Sequence, residues 1–326
     1  MTITTTWTGS GSTDYYSGAN WTAGAPAGDG PNDALIGGVG VTTAYTVVVT
    51  ADNGSSVGTY SAGNLVLDDS AMTLSIGTHA FTVAYSTTFT AGTVNIAGGF
   101  FNFGINTNTF GTDALLTGYG VLTNDISGSG TIEAKGVSQI LDVNLNVGAG
   151  GMNFEIAGGD TLEFDMVVDA SAKVSFETNS GTMLLYDTQD FAGTIYGLVD
   201  VPSAGAAQNE IDLGDLTNVT ASFDYTTNQI TVSGTSVFPG NTVTDKVIQL
   251  DPGATYDAGS TVQTVADGSG GTDIFLMVCF AEGTRILTNR GEVAVEALAE
   301  GDMVVTADQG TRPINWIGHR HLDLTA

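Results

Sequence analysis

The chain holds few residues suited to covalent chemistry, and one of them is its single cysteine, Cys279. A thiolate is a strong nucleophile near neutral pH, whereas a thiol among apolar neighbours usually acts as a small hydrophobe. The stretch 275–280 is apolar and by itself favours the second interpretation. One cysteine cannot form an internal disulfide or a cysteine-rich zinc site. Cys279 is therefore the candidate nucleophile. The sequence that follows it must show whether it acts as a nucleophile or as a buried apolar residue.

Histidines and carboxylates are the candidate acids and bases. His79 lies in a Gly-Thr-His-Ala turn, where we expect a solvated side chain, and His319 and His321 stand in Gly-His-Arg-His. None is placed to complete a serine or cysteine hydrolase triad. A glycoside hydrolase needs two carboxylates about 5–10 Å apart. Glu163 and Asp165 project to one face of a predicted strand, but an exposed strand edge explains them equally well.

Calcium is the one metal for which the sequence offers an argument. Residues 267–276 approach a calcium-binding nonapeptide, but one imperfect copy cannot supply oxygens from stacked turns, so we predict a turn before a strand. Weak calcium binding elsewhere on the acidic surface stays an alternative, although solvated loop charges are the simpler interpretation of the acidic clusters Asp68-Asp69 and Glu210, Asp212 and Asp215. We predict no metal site and no cofactor.

The charge balance restricts the partners. The chain has 35 acidic and 7 basic residues and a net charge of -28, which disfavours nucleic acid and anionic membranes. No apolar run approaches the roughly 20 residues of a membrane span. Before Cys279 there is no arginine to serve as the base of a polysaccharide lyase. The N-terminus lacks the pattern of a Sec signal, so we expect a cytoplasmic protein or export without an N-terminal signal.

Residues 1–278 must position any site, and their pattern is that of strands. Short stretches alternate small polar and branched apolar residues between turns rich in Gly, Asn, Asp and Ser, and no convincing helix is visible. Similar segments recur every ~20 to 35 residues, as the coils of a β-solenoid do. A β-sandwich is the alternative. Near the N-terminus, aromatic residues are expected to cap the first coil, with a glycan-stacking platform as the second interpretation; they are Trp7, Tyr15, Tyr16 and Trp21.

Two parts of this region resemble repetitive surface proteins of alphaproteobacteria. The resemblance lies in Thr6-Trp7-Thr8-Gly9, Gly18-Ala19-Asn20-Trp21, Asp33-Ala34-Leu35-Ile36 and Leu65-Val66-Leu67-Asp68, and in Phe191-Ala192-Gly193-Thr194-Ile195 near the last repeat. It implies an exported or cell-surface protein whose ligand is a polysaccharide or a protein.

The segment from Cys279 resembles the first third of a Hint domain, the fold of hedgehog autoprocessing domains and inteins. The resemblance lies in Cys279-Phe280-Ala281-Glu282-Gly283-Thr284-Arg285, Gly291-Glu292-Val293, Gly301-Asp302-Met303-Val304 and Arg312-Pro313-Ile314-Asn315-Trp316. It implies that the thiol of Cys279 attacks the carbonyl of Val278 and forms a thioester, which then passes to water or another nucleophile. It further implies that Gly291 and Gly301 stand in tight turns and that Asp302 caps one.

The family reaction also needs a Thr-x-x-His, and this sequence contains none. We therefore expect a Hint domain truncated after its first third and without self-cleavage. The predicted fold is all-β, a β-solenoid followed by a partial Hint β-fold. The predicted domains are an aromatic cap (1–50), a solenoid passenger (51–278) and the partial Hint domain (279–326). An adhesin-like surface role is expected, and a carbohydrate-active or carbohydrate-binding β-helix is the alternative.

Overall fold

The computed structural model describes residues 4–8, 13–23, 25–26, 33–37, 44–50, 61–198, 208–238, 242–256, 259–278, 283–306, 310–315 and 317. These residues are mainly β-strands, with three single-turn 3-10 helices at Gly18–Asn20, Thr188–Asp190 and Val295–Ala297. No helix in this part of the chain has the length and apolar character needed to cross a membrane.

The first fifteen strands are β1 (Thr4–Thr6), β2 (Asp33–Gly37), β3 (Tyr45–Val48), β4 (Ala62–Gly77), β5 (Ala80–Asn102), β6 (Thr109–Thr123), β7 (Ser127–Gly128), β8 (Thr131–Ala134), β9 (Ile140–Asn144), β10 (Asn153–Ile156), β11 (Thr161–Phe164), β12 (Lys173–Phe176), β13 (Thr182–Leu185), β14 (Thr194–Tyr196) and β15 (Glu210–Leu213). The later strands are β16 (Leu216–Asp224), β17 (Gln229–Ser236), β18 (Thr242–Leu250), β19 (Ser260–Ala266), β20 (Thr272–Val278), β21 (Arg285–Thr288), β22 (Gly291–Ala294), β23 (Met303–Val305) and β24 (Thr311–Pro313).

Parallel stacking of successive coils builds a β-solenoid of about six turns, as predicted. Strands β8, β10, β12 and β14 form one row, and β9, β11, β13 and β15 form a second. Thr131, Asn153, Lys173 and Thr194 occupy equivalent positions, so one coil takes about 21 residues. This parallel register excludes the sandwich alternative, whose sheets are antiparallel.

The core is a stack of apolar columns, because alternate residues of each short strand point inward. In the second row the inward column holds Leu141, Leu162, Met183 and Ile211, which are all fully buried. Burial of each such side chain contributes about 1.5–3 kcal/mol. In each strand, the residues that alternate with these inward ones face outward. The register that stacks the core therefore also stacks the outward side chains of successive coils.

Aromatic rings close the N-terminal end of the solenoid. Tyr15 and Trp21 are buried, their ring centroids lie 5.1 Å apart in an edge-to-face arrangement, and Trp21 Nε1 donates a hydrogen bond of 2.6 Å to the Tyr15 carbonyl. Trp7 packs edge-to-face on Trp21. Tyr15 and Trp21 are buried, and Trp7 and Tyr16 are partly buried against the same core, so this geometry favours the capping interpretation. The domain boundary at residue 50 stays a prediction.

Antiparallel strands cover the other end. Strands β16, β17 and β18 form a meander that joins the first row where β18 pairs in parallel with β14. Strands β19 and β20 form a hairpin that joins the second row where β20 pairs with β15. These additions pair the backbone of the last coil, which would otherwise present open sheet edges. They also bring the β17–β18 hairpin beside the second row.

Candidate functional site

Acidic side chains stack on the outer face of the second row. Asp142 of β9 pairs in register with Glu163 of β11, and Asp165 follows directly after β11. One carboxylate oxygen from each of the three lies within 4.8 Å of the other two. The exposed-edge interpretation of Glu163 and Asp165 is wrong, because β11 lies between β9 and β13 and both side chains are half-buried.

Burial and neighbouring carboxylates raise the pKa values of this cluster. Burial, followed by the charge of Asp165, raises the pKa of Asp142 to about 6. Burial is also the main cause that raises the pKa of Glu163, with contributions from Asp142 and Asp165, and it raises the pKa of Asp165. The carboxyl groups of Glu163 and Asp165 lie close enough that protonation of one affects the pKa of the other.

The spacing of Asp142, Glu163 and Asp165 would let them hold one hard cation such as calcium, which prefers carboxylate oxygens. Asp142 Oδ1 is itself buried and without a hydrogen-bond partner. Glycoside hydrolysis needs two carboxyl groups about 5–9.5 Å apart, and the nearest oxygens of these three carboxyl groups lie closer than that, within 4.8 Å of one another.

A cleft of about 870 Å³ opens beside this cluster. Its floor includes Asn144, the last residue of β9, and Asp165 and Tyr186, which directly follow β11 and β13. The turn after β13 and the β17–β18 hairpin, with Phe238, form its walls. We call it the acidic cleft.

Hydrogen bonds fix the walls of the acidic cleft. Asp215 is only 5% exposed and accepts hydrogen bonds from the backbone N–H and the hydroxyl of Thr188. Lys246 of β18 donates a 2.7 Å hydrogen bond to the carbonyl of Gln189 in the opposite wall. The interpretation of Asp215 as a solvated loop charge is therefore wrong. Its carboxylate joins two segments that lie 27 residues apart.

Asp142 was missed at the level of sequence, although a signal was present. The pattern apolar-acidic-apolar occurs as Leu141-Asp142-Val143 and returns one coil later as Leu162-Glu163-Phe164. Only the coil length shows that these two triplets lie side by side. The same pattern returns in β15 at Asp212, whose pKa burial raises to about 7.

The segment that approaches a calcium nonapeptide is the turn between β19 and β20. Asp267 Oδ1 accepts hydrogen bonds from the backbone N–H groups of Ser269, Gly270 and Gly271 at 2.6–2.9 Å. The carboxylate thus stabilises its own loop, in agreement with the predicted turn before a strand.

The predicted nucleophile and its target lie where the solenoid ends. Strand β20 ends at Val278, whose backbone pairs with Ser260 of β19. Cys279 follows, but it lies outside the described residues, as do His319 and His321. His79 lies in the turn between β4 and β5, at a partly buried position.

Beyond this point the chain forms a separate four-stranded antiparallel sheet in the order β22-β21-β23-β24. Strands β21 and β22 form a hairpin that turns before Gly291, where φ is +99°. A second tight turn contains Gly301, where φ is +89°. Asp302 accepts a hydrogen bond from the Ala299 N–H and pairs with Arg290 at 2.6 Å.

Residues 278–326 match the family model of the Hint domain. Comparisons with curated proteins and with solved structures gave no match. The match supports a Hint segment that begins within one residue of the predicted position. In this Hint segment, the turns predicted at Gly291 and Gly301 and the capping role of Asp302 are present. The match does not extend to the solenoid.

Proposed function

We propose that residues 1–278 are an exported or cell-surface solenoid passenger with an adhesin-like role, joined to a Hint segment of bacterial, alphaproteobacterial type. The observation that carries this proposal is the junction. The last solenoid strand, β20, ends at Val278, and the Hint match begins at the same residue. A processing bond at Val278-Cys279 would therefore release the whole solenoid and none of the Hint segment.

The family chemistry fits this position. The thiolate of Cys279 would add to the Val278 carbonyl, the C–S bond would form, and the C–N bond would break as the Cys279 amine takes up a proton. Pairing of Val278 with Ser260 holds the backbone on the passenger side. We further propose that the 326-residue chain does not complete this reaction, because its sequence supplies no Thr-x-x-His to protonate the leaving amine.

Intact mass spectrometry tests the chemistry. The purified chain is incubated with and without dithiothreitol, beside a Cys279→Ala variant. We expect one unchanged mass under all conditions. Loss of residues 279–326 only when Cys279 is present would refute the proposed inactivity and show a working nucleophile. Equal loss from the variant would refute the role of the thiol.

Protease treatment of intact cells tests the surface role. In a bacterium that produces the chain naturally, protease added outside the cells should digest the solenoid while a cytoplasmic marker stays intact, or the solenoid should be found in the medium. Full protection in intact cells, followed by digestion after lysis, would place the chain inside the cell and refute export.

A further inference from the structure

The acidic cleft has the size and construction of a ligand site. Its volume of about 870 Å³ lies within the ~300–1,000 Å³ that is typical of small-molecule sites. The hydrogen bonds of Asp215 to Thr188 and of Lys246 to Gln189 hold its walls in place. A fixed concave surface binds with a smaller entropic penalty than a mobile one.

Apolar rings are exposed inside this cleft. Tyr186, in the floor of the cleft, is 41% exposed, and Phe238, in a wall, is 52% exposed; Met166 also lines the cleft. Exposed aromatic rings in a concave site are contact surfaces for ligands that have an apolar face and a polar edge. The C–H face of a pyranose ring and its ring of hydroxyl groups meet this description.

The polar lining determines the charge that the cleft accepts. Asn144, Gln189, Ser236 and Thr242 offer neutral hydrogen-bonding groups, and Glu163 and Asp165 add carboxyl groups. Among the described residues that line the cleft, none is basic. The ammonium group of Lys246, at the cleft wall, is already bonded to the Gln189 carbonyl, so an anionic ligand would meet mainly carboxylates, which disfavours it.

We propose that the acidic cleft binds a saccharide chain that carries no negative charge, with sugar rings packed on Tyr186 and Phe238 and hydroxyl groups bonded to Glu163 and Asp165. A protonated carboxyl group can donate a hydrogen bond to a hydroxyl group, and an ionised carboxylate can accept one from it. The proposal depends on the cleft alone, so it stands or falls independently of processing at Val278.

Calorimetric titration of the full chain tests the proposal with three tetrasaccharides of different charge. They are β-linked N-acetylglucosamine (neutral), β-linked glucosamine (amine-bearing) and galacturonate (anionic). We expect the first two to bind and the third to bind at least tenfold more weakly. Phe238→Ala and Tyr186→Ala should each weaken binding about 3- to 10-fold, because each removes one ring contact. Both side chains are exposed, so circular dichroism should show an unchanged fold.

Tyr225→Ala is the matched control. Tyr225 is 43% exposed and directly follows β16, in the turn of the β16–β17 hairpin. Ser236, which lines the cleft, lies at the other end of this hairpin, roughly 25 Å from Tyr225 at ~3.3 Å per residue. Its loss should leave binding unchanged. Binding of none of the three saccharides, equal binding of galacturonate, or an equal loss in Tyr225→Ala would each overturn the proposal. Binding of calcium alone, with no saccharide bound, would also overturn it and assign the carboxylates to a cation.

Discussion

Replacing Asp212 by Asn should stabilise the protein above neutral pH. Asp212 of β15 lies opposite Asp273 of β20, and its Oδ1 is buried without a hydrogen-bond partner. Burial, followed by the charges of Asp273, Asp267 and Glu210, raises the pKa of Asp212 to about 7. At pH 8 the folded chain therefore holds an ionised group in a place that disfavours ionisation. Asparagine has nearly the same shape and removes that charge.

The sign and size follow from proton linkage. The folded-state pKa of Asp212 exceeds its ordinary value of 3.8, so the folded state binds the proton first as the pH falls. The stability that this provides is complete below about pH 4 and is lost as the pH rises through about 7. A shift of about 3 units has a ceiling of about 4 kcal/mol, and solvent screening of a half-buried group reduces it to about 1–2 kcal/mol. We expect Tm to rise by about 2–6 °C at pH 8.

Thermal unfolding followed by circular dichroism at pH 8 and pH 4.5 measures this effect. The gain should be large at pH 8 and nearly absent at pH 4.5, where Asp212 is already protonated. Asp224→Asn is the control, because hydrogen bonds from Thr226 lower the pKa of that exposed carboxylate, and its removal should not raise Tm at pH 8. An equal gain at both pH values, or a lower Tm at pH 8, would refute the reasoning.

Two further predictions concern the solenoid backbone and are measured by urea unfolding. Asn108 is 2% exposed and makes three hydrogen bonds to the backbone, so Asn108→Ala should cost about 3 kcal/mol, and a cost below about 1 kcal/mol would contradict this role. Gly118→Ala should cost more than Gly159→Ala. Both have positive φ, but a Cβ at Gly118 would overlap the Ile96 carbonyl oxygen and one at Gly159 would meet nothing within 4 Å, so equal costs would show that space is not limiting.

The fold was largely predictable because each strand alternates and each turn carries its own residue signal. Leu162-Glu163-Phe164 shows both which side chains enter the core and which face outward. The turns of the Hint segment were predictable from the family resemblance, and the glycines at 291 and 301 stand where the backbone takes a positive φ that other residues rarely adopt. Both signals are local in sequence, and local signals need no knowledge of the partner strand.

The acidic cleft was not predictable from such signals. Its floor combines residues one coil apart, such as Asn144, Asp165 and Tyr186, and strand-by-strand analysis does not give that register. Its outer wall depends on β18, which pairs with β14 of the first row. Lys246 of β18 bonds to Gln189, which lies 57 residues earlier in the chain. A contact between segments so far apart in the chain produces no repeating sequence pattern from which it could be predicted.

A parallel in-register solenoid brings like residues together, and burial with neighbouring carboxylates raises pKa values in both rows, at Glu155 in the first row and at Glu163 in the second. In the first row Glu133 accepts hydrogen bonds from Thr117 and Lys135, both at 2.6 Å, so the adjacent ammonium group balances its charge. In the second row, protonation relieves the repulsion that Asp142 and Asp165 exert on Glu163. Because the cleft opens on this second row, a ligand hydroxyl group that accepts a hydrogen bond from a protonated carboxyl group binds best while that group keeps its proton. Saccharide affinity, measured by calorimetric titration, should therefore weaken as the pH rises from 6 to 9.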